Sequence, residues 1–137
     1  MKILEKTIDD LIDKQDVSFI SSVDKNGYPN IKAMIAPFKR EGIKAFFWHT
    51  NSPSMKVKEF RANSKACVYF YCKDSFCGVT FKGIMEVLDE EKSKKDFWDD
   101  SYSKWYQNND FIVIKFNAES CRYYSGLDTE DLQIGMK

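Results

Sequence analysis

The chain has 137 residues, 43% hydrophobic and 31% charged, with 21 lysines and arginines balanced by 21 aspartates and glutamates. That length suits one domain, and the composition is that of a soluble globular protein rather than a disordered or fibrous one. No apolar run approaches the ~20 residues of a membrane-spanning helix, and zero net charge argues against a nucleic-acid coat.

In chain order, Leu4, Ile8, Leu11 and Ile12 recur at helical spacing and predict an amphipathic helix over residues 2–14. Its acidic residues break any signal-peptide core, so the expected location is the cytoplasm. VSFISSV (17–23) reads as a strand. The Asn26-Gly27 pair after it is a strong hairpin signal, which makes PNIKAMIAPF (29–38) the partner strand. KREG (39–42) reads as a tight turn into a third strand, IKAFFWHT (43–50). Ser52 then offers an N-cap and Pro53 a first helical position for a short helix.

Beyond that helix, ACVYFYC (66–72) and GVTFKGIMEVL (78–88) read as strands, and Gly83 marks a bulge or a close backbone approach. LDEEKSKKDFWDD reads as a helix capped by Asp89, with Phe97, Trp98, Tyr102 and Trp105 following at near-helical spacing. FIVIKF (111–116) is a buried strand and CRYYSG (121–126) a short final one. The expected fold is mainly β with short α-helices: six or seven antiparallel strands closing into a split barrel, since closure removes exposed edges. A single domain spans 1–126, and 127–137 is expected as a loose acidic tail.

Charge is uneven. Between residues 29 and 65 there are eight cations (Lys32, Lys39, Arg40, Lys44, Lys56, Lys58, Arg61, Lys65) against Glu41 and Glu59. That concentration suggests one site for an anion. The start of the short helix is where an anion fits, because its first N–H groups have no partner in the helix and its dipole end is positive. Ser54 adds a hydroxyl there and Lys56 an ammonium. A lysine in a first turn costs the helix about 0.3–1 kcal/mol, which a bound anion would offset; the competing reading is a tolerated surface lysine beside a routine cap.

Other chemistry is poorly supplied. Neither a dinucleotide-binding glycine turn nor a phosphate-binding loop is present, and His49 is the single histidine. Cys67, Cys72, Cys77 and Cys121 lack any usual zinc spacing, so no metal site is expected and buried free thiols are the plain reading. A meander that sets 31–35 beside 47–50 would let Lys32, Met34, His49 and Thr50 line one groove leading to the helix start. An apolar wall with a basic end suits a flavin mononucleotide (FMN).

The segments NGYPNIKAM, FFWHTNSPSMKVKEFRANSKACVYFY and GVTFKGIMEVL resemble the pyridoxamine 5'-phosphate oxidase-like split-barrel family, in particular its general stress protein 26 branch. The resemblance covers about residues 5–125. It implies an FMN-binding protein, a flavin-dependent oxidoreductase of unnamed substrate with a stress-response role. The alternative it leaves open is a non-catalytic module holding flavin, haem or a deazaflavin. By the same resemblance, Lys32 meets the flavin or its ribityl-phosphate, and Ala33, Met34 and Ile35 run along the ring edge. His49 and Thr50 touch the ribityl and ring, while Ser54, Met55 and Lys56 hold the phosphate. The family is homodimeric, with FMN at the subunit interface completed by the second subunit, here around Phe76–Thr80, with Trp98, Trp105 or Tyr124 as further candidates. Two departures weaken the grip: lysine replaces arginine at 32, losing the planar fork, and Met55-Lys56 stands where Arg-Lys is common. With no arginine after Arg122 and an acidic tail, oxidation of pyridoxamine phosphate itself is not expected.

Overall fold

The computed structural model describes residues 3–106 and 110–135. Lys2 of the expected first helix and the last two residues of the expected tail lie outside them.

Helix α1 (Ile3–Asp13) buries Ile8, Leu11 and Ile12, the stripe its spacing predicted. The strands are β1 (Val17–Val23), β2 (Pro29–Ile35), β3 (Lys39–Glu41), β4 (Ala45–Asn51), β5 (Lys65–Cys72), β6 (Cys77–Leu88), β7 (Phe111–Ser125) and β8 (Asp128–Gln133). Helix α2 (Met55–Ala62) lies between β4 and β5. Helix α3 (Glu91–Phe97) and a 3-10 turn (Asp100–Lys104) lie between β6 and β7.

These eight strands form one antiparallel sheet in the order β2-β1-β5-β6-β7-β4-β3, with β8 added against β7. Phe46, Trp48, Val68, Phe70, Val79, Phe81, Ile114 and Phe116 come from four different strands yet share one buried cluster with the α1 stripe, so the sheet wraps around its own core. Phe46 sits at the centre, its ring 5.0 Å from Phe81, 5.4 Å from Phe70 and 6.1 Å from Phe116. The two ends of the sheet meet through side chains instead of a ladder. The Trp48 indole N–H is shared by the Ser18 hydroxyl and the Ile35 carbonyl, both at 3.1 Å. Arg40 of β3 fastens α1 by donating to Asp9 at 2.5 Å and to Asp13.

Local chemistry shapes the connections. In the β1–β2 turn Gly27 takes φ +87°, a conformation other residues adopt only with strain, and the Asp24 carboxylate accepts from the Asn26 and Tyr28 amides. At Gly83 the register between β6 and β7 slips. A Cβ there would lie 2.1 Å from the Asn117 carbonyl oxygen, so only glycine allows the bend.

Several expectations need correction. Among the described residues the strands number eight: Lys39–Glu41 pairs with β4 rather than turning, Asp128–Gln133 adds a last strand, and residues 121–125 continue β7 instead of forming a separate strand. The tail is not loose over 128–133: this segment is β8, paired with residues 120–125 and fixed by Arg122 donating to Asp131 at 2.7 Å, with Ile134 buried beyond it. Its acidic residues hid it, since an edge strand tolerates charge that a central one does not. The helix expected from Asp89 is shorter, starts after Glu90 and ends at Phe97, and the following aromatics lie partly on the 3-10 turn. Asp89 is taken instead by Arg61, at 2.7 Å.

Candidate functional site

Helix α2 starts one turn-forming stretch after β4. Its cap is Ser54, not Ser52: Ser54 is extended (φ −63°, ψ 149°) and its hydroxyl accepts from the Val57 amide at 3.4 Å. Pro53 therefore precedes the cap and stiffens the approach, while Ser52 and Ser54 spend their own amides on the Asp110 and Asn51 carbonyls. Val57 and Phe60 are buried and anchor the helix to the barrel. Met55, first in the helix, is exposed.

Glu59 is the residue that sequence reasoning missed. It is buried on the α2 face that packs on β1, where its carboxylate accepts from the Ser22 hydroxyl at 2.5 Å and from the Asn30 amide at 3.1 Å. One carboxylate thus ties α2 to both strands of the first hairpin and sets where the helix start points. The available signal was an acid beside Phe60 on the short apolar face.

Asn30 and Lys32 lie on the same face of β2, two residues apart. Lys32 comes close enough to Lys56 that its charge acts on it. Lys56 is half-buried, and desolvation first, then the like charge of Lys32, holds its ammonium below the ordinary lysine range. Two cations from separate elements therefore converge at a helix N-terminus that also carries a hydroxyl. Neither has a carboxylate partner among the described residues, whereas Arg40 and Arg61 of the same basic stretch are consumed by ion pairs with Asp9, Asp13 and Asp89. The desolvation of Lys56 and the nearby charge of exposed Lys32 cost free energy that an anion beside them would offset.

The remaining candidates divide by face. Met34 points inward from β2 onto the core, and Ala33 and Ile35 point outward and are exposed. Thr50 is buried on the barrel side of β4 with Trp48. His49, its neighbour, points the opposite way, so His49 and Thr50 do not share a groove. Nor are β2 and β4 ladder neighbours: among the described residues β2 pairs with β1 alone, and β4 with β3 and β7.

His49 enters a second cluster outside the barrel. Its ring lies 4.3 Å from Tyr102, 6.0 Å from Trp105 and 5.5 Å from Phe38, and its Nδ1 meets the Tyr106 hydroxyl at 2.6 Å. Burial lowers the His49 pKa, favouring the neutral ring, and burial ahead of the Asp110 charge pushes Tyr106 up to about 12. Beside it a cavity of about 480 Å³ is lined by Trp98, Tyr106, Phe111 and Lys94.

The chain is similar to known proteins in sequence and in fold. The family model described as Pyridoxamine 5'-phosphate oxidase matches residues 4–125. A curated relative, the pyridoxine/pyridoxamine 5'-phosphate oxidase of Agrobacterium fabrum, is 28% identical over 74 residues, covering 54% of this chain and 35% of the relative. The chain thus spans about a third of that relative's length. Among solved structures, a protein related to general stress protein 26 from Clostridium acetobutylicum superposes with TM-score 0.83 at 31% identity, over 95% of this chain and 96% of that one. A heme binding protein from Mycobacterium smegmatis shares the fold at TM-score 0.77 and 10% identity, over 97% of this chain and 59% of that one.

Proposed function

The chain belongs to the pyridoxamine 5'-phosphate oxidase family, and from that premise we propose that it binds FMN through the phosphate at the start of α2 and serves a flavin-dependent redox reaction. The observation that carries this reading is the convergence of Lys32 and Lys56 on the Ser54-capped helix start. A phosphate dianion answers both lysines, accepts from the free amides of the first turn and meets the helix dipole. Glu59, through Ser22 and Asn30, keeps β2 and α2 at the spacing that makes the two amines act together. When bound, the flavin supplies two-electron chemistry; the chain supplies its binding and orientation.

The reading includes a homodimer. β2 is almost wholly exposed and carries Ile31 and Ile35 at 72% and 62% exposure. On the same outer face the ladders run from Ala33 through Phe19 to Tyr69, so the apolar surface extends over three strands. A contiguous apolar face of this kind is what a stable protein interface buries. A second copy seated there would bring its own Phe76–Thr80 segment towards the flavin. Oxidation of pyridoxamine phosphate is not part of the reading: Arg122 is committed to Asp131, and β8 adds further acidic residues beside it.

A haem-binding reading is favoured by one observation, the half-buried single histidine in an aromatic wall beside a cavity. The phosphate separates the two. FMN should bind and riboflavin, which lacks the phosphate, should bind far more weakly in equilibrium dialysis. Bleaching of the bound flavin by a nicotinamide donor, reversed by an electron acceptor, would support the redox role. Equal affinity for riboflavin and FMN, or uptake of haem with a Soret band and no uptake of FMN, would overturn the reading.

A further inference from the structure

The β5–β6 hairpin carries two thiols directly opposite each other. Cys72 ends β5, Cys77 begins β6, and they are register partners across a four-residue loop, Lys73–Phe76. Directly opposed residues of an antiparallel ladder have Cα atoms about 4.5–5.5 Å apart. A disulfide requires about 4.4–6.8 Å, so no backbone movement is needed to join the two. Both side chains are half-buried against the core cluster on the sheet face that α1 covers, and both line a cavity of about 270 Å³ with Asp10, Lys14, Ser75 and Tyr123. That face is opposite the apolar surface of β1, β2 and β5, so within the Phe76–Thr80 segment the Cys77 side chain points away from a second copy seated there.

The surroundings favour reactivity at these two cysteines over the others. Cys77 Sγ lies 3.5 Å from the Ser75 carbonyl oxygen and 3.7 Å from the Ser125 hydroxyl. Hydrogen bonds from Ser75, then Tyr123 and Ser125, lower the Cys77 thiol pKa, and Ser75 does the same for Cys72. Cys121 is the contrary case, buried and pushed up to about 11 by desolvation. Cys67 points to the other face of β5 with no second thiol opposite it, since its register partners are Ser21 and Lys82. Thiolate character and access decide which thiols oxidise first.

We propose that Cys72 and Cys77 form a redox-reactive dithiol that a hydroperoxide converts into a cross-strand disulfide. The Cys77 thiolate attacks the terminal oxygen of the peroxide; an S–O bond forms, the O–O bond breaks, and the alkoxide leaves to take up a proton. Cys72 as thiolate then attacks the Cys77 sulfenic acid; the S–S bond forms, the S–O bond breaks, and hydroxide leaves as water on taking up the Cys72 proton. Two thiols lose two electrons and the hydroperoxide becomes an alcohol and water. A thiol reductant reverses the change.

The test treats the purified protein with a small excess of hydrogen peroxide, blocks remaining thiols, and digests it with trypsin without reduction. Cleavage after Lys73 separates the two cysteines, and fragmentation of the linked pair tells Cys72 from Cys67 on the shared 66–73 peptide, so a Cys72–Cys77 link that dithiothreitol dissolves is the expected product. It should form before Cys67 or Cys121 is modified. In the Cys72→Ser variant, dimedone should label Cys77. Oxidation that begins at Cys67 or Cys121, a disulfide joining two chains, or an unlabelled Cys77 in folded Cys72→Ser protein would each overturn the proposal. A circular dichroism spectrum unchanged by Cys72→Ser secures the fold for that reading. No flavin enters the readout, so this proposal and the FMN reading fail separately.

Discussion

Replacing Lys56 with methionine keeps the stem of the side chain and removes the ammonium. A charge-assisted hydrogen bond contributes about 1.5–3 kcal/mol net, well below the bare attraction of ~4 kcal/mol for unit charges 4 Å apart near a protein surface. Taking a loss of about 2 kcal/mol, the dissociation constant for FMN rises roughly 30-fold. At free FMN near 100 times the wild-type constant, ligand binding stabilises the wild type by about 2.7 kcal/mol and the variant by about 0.9 kcal/mol. For a chain of this size ~1 kcal/mol moves the melting midpoint by about 3 °C, so the gains on adding FMN should be about 8 °C and about 3 °C. Without FMN the variant should melt no lower than the wild type. It loses a first-turn cation that sits badly with the helix dipole and a like charge beside Lys32. Differential scanning fluorimetry reads all four midpoints. Equal FMN gains in both proteins, or a Lys56→Met protein that melts lower without ligand, would refute the electrostatic argument.

Further outcomes follow from the geometry. Burial lowers the His49 pKa, so the unfolded chain binds more protons than the folded one as pH falls through about 6.5; folded stability should drop over that window. His49→Gln should flatten the fall in melting midpoint between pH 7.5 and pH 5, and an unchanged slope would remove the assignment. Gly83→Ala forces a methyl against the Asn117 carbonyl and the Phe116 ring, so urea denaturation should report a loss of about 2 kcal/mol or more. Ile35→Lys places a charge on the outer face of β2, where the side chain is exposed in the single chain. Sedimentation should therefore show the proposed dimer for the unaltered chain and a monomer for the variant, with little change in the far-ultraviolet spectrum.

What the sequence disclosed was chiefly local. The α1 stripe, the turn at Gly27 and the break at Gly83 each depend on neighbours in the chain, and each was readable. The pairings β1 with β5 and β4 with β7 join distant segments, and nothing in either strand alone names its partner. A meander was the economical expectation, and it put Lys32 beside Thr50 instead of beside Lys56. The strict alternation of a strand is enough by itself to send the side chains of His49 and Thr50 to opposite faces. Short polar strands escaped for a different reason. Lys39–Glu41 and Asp128–Gln133 bury little and carry charges, so they resemble turns and tails until a neighbour's edge is in view. Lys56 near a helix start was readable from residue type and position, but the approach of Lys32 to it is a product of the tertiary fold.

β7 is the latest-made element of the barrel's central path, and it closes β6 along one edge and β4 along the other. While the chain emerges from a ribosome, both of those apolar strands must wait with open edges until residues 111–125 arrive. The hazard for this molecule in a crowded cell therefore falls during synthesis, when any agent that shields β4 and β6 for that interval would raise the yield of native protein without altering its final stability.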